Sequence, residues 1–470
     1  MRPLPCLLAL GALLALGGCS FTVASPKAFH ECDVDQDCPD SLACVEHYCV
    51  GNRVPDGCGK TVGETATDAT LHFGAVLPLT YSDDGGTVED PKEGARLNAI
   101  QMALEEINMR KISSHPVVLH VCDSHRSAEQ AAAQATWLAR DTGSVAILTA
   151  GSAQTLAVAD ASVPAGVVTM SFSATSPEIS ALPATHEGSS RLVWRTAPSD
   201  AIQGRVMAGL VKTDTRYAAV KKIGVLYLND TYGQGLKDEF IGQVELPLQA
   251  RGFQYERGGN LGPTLQELNT YDPDLTVVIA FPDDAVKVLQ QVASLSNLQK
   301  GAGHQWLFSD SAKSASLLSG LTANERAEVE GSYGTAAAQG AGRAYQSFEE
   351  AYVARFNGQK PSQYSFTANA YDAAYCLSLA VAAAIRDGTG LVTGATTAAG
   401  LTRLSKGTAF ELRASQFLPA SQQLAAGNTV DVDGASGALD FDPQKGEAPG
   451  NIQVWSISGT TFTEVRVVAP

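Results

Sequence analysis

What this chain lacks narrows its function before any motif is found. Basic residues are in deficit: 33 Lys and Arg stand against 49 Asp and Glu, and the net charge of −16 is spread along the sequence rather than gathered in a tail. That balance argues against binding nucleic acid or an anionic membrane surface by charge. No strand end carries a phosphate loop, a Gly-x-Ser-x-Gly elbow or a His-Glu-x-x-His helix. The 8 histidines form no paired motif, so a hydrolytic site has no visible general base and the chain is not read as an enzyme. Disorder is not expected either, because 470 residues with 44% apolar side chains can bury the cores of two or three domains.

Long apolar runs are also scarce, and the first is too short to span a membrane comfortably. In "MRPLPCLLALGALLALGGCS" one arginine precedes an apolar stretch and then small residues, the pattern of a secretory signal. Its end, Leu16-Gly17-Gly18-Cys19, resembles a bacterial lipobox. That resemblance implies a signal peptide over 1–18, acylation of Cys19 and stable anchoring in the cell envelope through several acyl chains. Ser20, in place of Asp, favours the outer membrane facing the periplasm or exterior.

Export permits disulfides. Five of the 9 cysteines fall between Cys32 and Cys58, in a segment that cannot bury a core of its own. The first four of these allow three pairings, and Cys32 with Cys44 and Cys38 with Cys49 are the preferred ones, leaving Cys58 to reach Cys122 or nothing. Zinc is disfavoured because no CxxC spacing is present. Asp33, Asp35 and Asp37 imitate a calcium loop, but Cys38 and Cys44 occupy its glycine and glutamate positions. Residues 19–65 therefore read as an anchor and a cysteine-rich stalk, with no metal and no cofactor.

From about residue 70 the chain alternates. "TLHFGAVLPL", "HPVVLHVCDS", "SVAILTAGS" and "GVVTMSFSAT" read as strands separated by helical patterns, and a second alternating series runs from "KKIGVLYLND" to "HQWLFSDS". In that series "YGQGLKDEFIGQVELPLQARG" reads as one helix and "QYERGGN" as the following strand. Alternation of this kind predicts an α/β fold of two Rossmann-like lobes with parallel sheets and a cleft between them. Ligands in such sheets sit beyond the carboxyl ends of the strands.

Those strand ends offer hydroxyls, aromatics and one well-placed acid, a set suited to a zwitterion such as a free amino acid. A carboxylate wants hydroxyl and backbone N–H donors at a helix N-terminus, as at Ser152; an ammonium wants a carbonyl, a hydroxyl and a carboxylate. Thr175 offers hydroxyl and amide, Asp310 is the natural counter-ion, and Tyr232 and Phe281 are candidate aromatic walls.

Residues 70–470 resemble the periplasmic type I solute-binding proteins, in particular the branch that binds leucine, isoleucine and valine. The stretch Ser171-Phe172-Ser173-Ala174-Thr175-Ser176-Pro177-Glu178 is similar to the family's Ser-x-x-Ala-Thr-x-Pro-Glu signature, and the spacing from Ser152 to Thr175 matches without a gap. Arg195-Thr196-Ala197 looks like the first crossover, Gln203-Gly204-Arg205 like the start of the next helix, and Tyr232-Gly233-Gln234-Gly235 like the family's Tyr-Gly-x-Gly. The resemblance implies a three-segment hinge, with one lobe over 70–196 and 336–442 and the other over 197–335 and 443–470. It also implies that Ser152 and the Thr175 amide hold a carboxylate, while the Ser173 carbonyl, the Thr175 hydroxyl and Asp310 hold an ammonium. Tyr81, Ala174, Gln154 and Tyr371 are further candidates. "TYSDDGGTVEDPKEG" reads as a loop longer than the family's usual form. The expected function is capture of a small amino acid by hinge closure and delivery to an ABC permease, with a surface sensor or protein-interaction module as the alternative.

Overall fold

The apolar runs become the centres of two sheets. The computed structural model describes residues 31–38, 43–45, 47–50, 54–63, 69–83, 86–110, 115–385 and 391–470. The expected signal segment and Cys19 lie outside the described residues. Two units are distinguished, Met1–Arg53 and Val54–Pro470.

In the first unit the strands Ala43–Val45 and Tyr48–Val50 form an antiparallel hairpin that sets Cys44 opposite Cys49. Each of these cysteines bonds to the preceding segment, giving Cys32–Cys44 and Cys38–Cys49 disulfides. The proximity of the Cys32, Cys38 and Cys49 sulfurs is thus that of neighbouring disulfides. Covalent links replace the core that so short a segment cannot build.

In the second unit one sheet has six strands, ordered Val193–Arg195, Val168–Ser171, Ala146–Thr149, Leu71–Leu77, Val117–Asp123 and Lys60–Val62. All neighbours are parallel except the last pair. Its central strands are buried on both faces, which is why they read as continuous apolar runs rather than alternating ones. The disulfide Cys58–Cys122 ties the segment before Lys60–Val62 to this sheet.

The other sheet has seven strands, ordered Gln249–Tyr255, Lys222–Leu228, Leu275–Ile279, Gln305–Phe308, Tyr333–Ala337, Ile452–Ser458 and Thr461–Val468. It is parallel up to Tyr333–Ala337 and antiparallel in its last two pairings. The chain crosses between sheets three times: after Val193–Arg195, after Tyr333–Ala337, and before Ile452–Ser458.

The segment between the second and third crossings packs on the first sheet. Its helix Thr367–Ile385 is apolar enough to cross a membrane by length and composition, but 94% of that stretch is buried inside the protein. It lies against the helix Pro91–Arg110, in a core that includes Phe73, Trp194, Tyr375 and Leu424. Cys376, the free cysteine among the described residues, is buried there.

Two local expectations are corrected. The helix Thr231–Gly242 stops well before Arg251, and Gln249–Tyr255 is an edge strand. Pro247 lacks the N–H and the conformational freedom to continue a helix, and the following residues alternate exposed and buried. Second, the segment after the first strand is not a plain loop: Thr80–Asp83 and Gly86–Glu89 pair as an antiparallel hairpin.

Candidate functional site

The carboxyl ends of the parallel strands in the two sheets face one another across a cavity of about 260 Å³. The first sheet contributes Ser152, Gln154 and Ser173, and the second contributes Tyr232, Phe281 and Asp310. Each reaches the cleft because its strand ends there and the next helix begins.

On the first lobe Gly151 turns the chain into the helix Ser152–Ser162 at φ +75°, a conformation that L side chains rarely adopt, and a Cβ there would stand 2.9 Å from Gln154 Oε1. The N–H groups of the first helical turn have no intrahelical acceptors and border the cavity. The Gly151 N–H donates to Ser173 Oγ at 3.0 Å, and the Ser176 N–H donates to Ser152 Oγ at 3.2 Å. The two strand ends thus brace each other.

The stretch 174–176 is pinned from behind. Arg195 is fully buried; its Nη1 donates to the carbonyls of Ala174 at 3.1 Å and Ser176 at 2.8 Å, and its Nε to Glu447 at 3.1 Å. This single guanidinium ties the end of the strand Val193–Arg195 to the stretch 174–176.

Thr175 and Ala174 are buried and do not line the cavity. The Thr175 carbonyl accepts from the Asp200 N–H at 2.8 Å, and its hydroxyl has no full hydrogen bond. Both carboxyl oxygens of Asp200 are likewise buried without a partner. Burial, and next the charge of Asp310, push the Asp200 carboxyl well above the usual carboxylate range, opposed in part by the Thr175 hydroxyl.

On the second lobe Asp310 is 2% exposed, and its Oδ1 accepts from the Tyr232 hydroxyl at 2.7 Å and from Gln203 Nε2 at 3.0 Å. Burial raises its pKa as well, against these hydrogen bonds. The helix that carries Tyr232 approaches the first lobe closely: a Cβ on Gly235 would stand 3.2 Å from Ser176 Oγ and 3.3 Å from Pro177 Cδ.

Tyr81 lies on the hairpin and lines an adjoining groove rather than the cavity. The Arg126 guanidinium stacks on its ring at 3.6 Å and pairs with Asp90 at 2.9 Å and Asp283 at 2.8 Å. Tyr371 sits in the first-lobe core with its hydroxyl on Glu106 at 2.6 Å.

Reasoning from the sequence missed the charged residues that line the cleft, Asp90, Lys92, Glu93, Arg96, Arg126, Asp230, Glu256 and Arg257, and the buried Asp200 behind Thr175. Lys92 follows Pro91 in the first turn of its helix, a place where a charge ordinarily meets solvent. It is 1% exposed.

Comparison with known proteins places the architecture. The family model described as "Receptor family ligand binding region" matches residues 95–460. The chain is similar to the chemotactic signal transduction system substrate-binding protein BasB of Halobacterium salinarum, 26% identical over 371 residues that cover 78% of this chain and 82% of the relative. Among solved structures it resembles a leucine-binding protein, LivK, from Thermotoga maritima, with a TM-score of 0.66 at 20% identity over 85% of this chain and 99% of the other. LivJ from Streptococcus pneumoniae, a branched-chain amino acid transporter substrate-binding protein solved with isoleucine, gives a TM-score of 0.66 at 19% identity over 85% and 100%. With most of its length matched and both sheets accounted for, the chain belongs to the receptor ligand-binding-region family and has the type I periplasmic binding protein fold.

Proposed function

We propose that this chain is an extracytoplasmic solute-binding protein, lipid-anchored at Cys19, that captures an amino acid between its lobes and presents it to an ABC permease. The observation that carries the reading is the pair of half-sites facing one cavity. The N-terminus of the helix Ser152–Ser162 offers donors to a carboxylate, and Asp310 stands on the opposite lobe as an acceptor for an ammonium.

Lobes over 70–196 with 336–442 and over 197–335 with 443–470 act as jaws. A ligand seated on Ser152 favours closure because Asp310 and Tyr232 come from the other jaw. Ser173 sets the floor, and the buried Thr175 hydroxyl and Asp200 carboxyl behind it are polar groups whose hydrogen bonds a bound ammonium would help to complete.

The name of the archaeal relative favours a second reading, a sensor whose closed form is read by a signalling partner. Both readings require ligand capture, and calorimetric titration of the delipidated protein with amino acids tests that step. Binding that Asp310→Asn abolishes supports it; absence of heat with every amino acid rejects it. Pull-down of a permease or of a receptor by the liganded protein then separates delivery from sensing.

A further inference from the structure

Two cations at the cleft are left without adequate counter-ions. Lys92 is 1% exposed and borders the cavity, yet among the described residues no carboxylate lies within ion-pair distance of its ammonium. The acids around it are committed elsewhere. Asp90 caps the Lys92 and Glu93 N–H groups with Oδ1 and pairs with Arg126 through Oδ2. Glu93 pairs with Arg96 at 2.5 Å, and Asp310, across the cleft, accepts from Tyr232 and Gln203.

The position itself is costly. Lys92 stands in the first turn of the helix Pro91–Arg110, where the helix dipole disfavours a cation, and burial lowers its pKa to about 8. What the protein supplies is a ring: the ammonium lies 4.8 Å from the centroid of Phe281.

Arg257, from the second lobe, converges on the same ring at 3.8 Å. Its Nε and Nη2 are buried without hydrogen-bond partners, and the nearest carboxylate oxygen, on Asp284, is 3.9 Å from Nε. One lobe each thus brings an unsatisfied cation to one aromatic wall of the cavity. Unpaired buried charge is tolerated where a ligand completes it.

Resting on the amino-acid reading above, we propose that the cleft takes an amino acid with a second anionic group on its side chain, an acidic amino acid of the glutamate or aspartate class, held by Lys92 and Arg257 beside Phe281. The α-ammonium goes to Asp310 and the α-carboxylate to the Ser152 helix terminus, so the side-chain carboxylate is the group left for the two cations. A branched aliphatic side chain would leave Lys92 buried without a counter-ion and Arg257 with only its 3.9 Å approach to Asp284.

The test compares near-isosteric ligands on the full-length protein in detergent by isothermal titration. L-Glutamate or L-aspartate is expected to bind at least about tenfold more tightly than L-glutamine, L-asparagine and L-leucine, since a charge-assisted hydrogen bond typically exceeds a neutral one by that margin. Lys92→Gln should erase the preference, and the less buried Arg257→Gln should reduce it even if the first variant folds poorly. Native protein that binds L-leucine or L-glutamine as tightly as L-glutamate, with loss on Asp310→Asn, overturns the second-anion claim and leaves the amino-acid reading standing. Binding of glutarate with the same Lys92 dependence, but of no amino acid, supports the anionic subsite and rejects the amino-acid reading. Binding of none of these probes overturns both.

Discussion

Arg126, in the short connection before the helix Ala128–Arg140, reaches across the cleft to Asp283 on the second lobe at 2.8 Å while holding Asp90 on its own lobe at 2.9 Å. The guanidinium is mostly buried under the Tyr81 ring. Under the proposed hinge closure such a pair forms only when the lobes are together, so it would contribute to the closed state and not to the folding of either lobe.

Asp283→Asn should therefore weaken ligand binding by roughly fivefold to thirtyfold, mainly through faster release, if the lost pair contributes about 1–2 kcal/mol to closure. Stopped-flow dissociation measures this, and urea unfolding of the ligand-free protein should be nearly unchanged. Equal loss of unfolding stability would place the pair in folding instead of closure.

Arg195 makes a different prediction, because its work lies within one lobe. Arg195→Met frees the carbonyls of Ala174 and Ser176 and leaves Glu447 without its partner. Breaking a buried ion pair from one side costs roughly 3 kcal/mol or more. Denaturant unfolding should register that loss, and ligand affinity should fall with it, since the same arginine positions the floor of the cleft.

His304 sets an acid limit. It is 4% exposed, its Nδ1 donates to the Pro273 carbonyl at 2.8 Å, and its Nε2 is buried without a partner. Burial lowers its pKa to about 4 from the ordinary 6.5. Because the folded pKa lies below the unfolded one, the stability it contributes is complete above pH 6.5 and is lost as pH falls toward 4. A displacement of that size corresponds to about 3 kcal/mol, so His304→Gln should flatten the fall in unfolding free energy from neutral pH down toward the folded pKa. An unchanged slope in the variant would remove His304 as the source of acid sensitivity.

Asp200 predicts a proton count. Burial, and next the charge of Asp310, push its carboxyl well above the usual carboxylate range. A ligand ammonium seated at Asp310 favours ionisation of Asp200 behind it, so binding near neutral pH should release protons. Titration calorimetry in phosphate and in Tris, buffers of different ionisation heat, should give different apparent enthalpies for the native protein and equal ones for Asp200→Asn.

Much of this fold was legible in the strand ends. Largely apolar runs such as "AILT" and "LTVVI" report parallel strands covered on both faces, and their polar successors mark the cleft. The boundary at Pro247 is legible too, since a proline there argues against one helix running through to Arg251. The charged wall was not legible. Lys92 in "EDPKEGAR" looks like a solvated first-turn lysine, yet in the fold it is buried with Phe281, from a distant segment, against it. Arg126 and Arg257 sit in short polar connections whose spacing carries no signal. For Thr175 the sequence marks the position but not the depth, because Asp200, from beyond the first crossover, covers it.

The most direct test of the account is calorimetric titration of the purified protein with the amino-acid set, repeated on Asp310→Asn. One zwitterion should bind with an affinity in the micromolar range or better, and the asparagine variant should lose at least about a hundredfold, the cost of leaving a buried ammonium without its carboxylate. Retention of full affinity in Asp310→Asn, or no binding by the native protein to any amino acid, would contradict it.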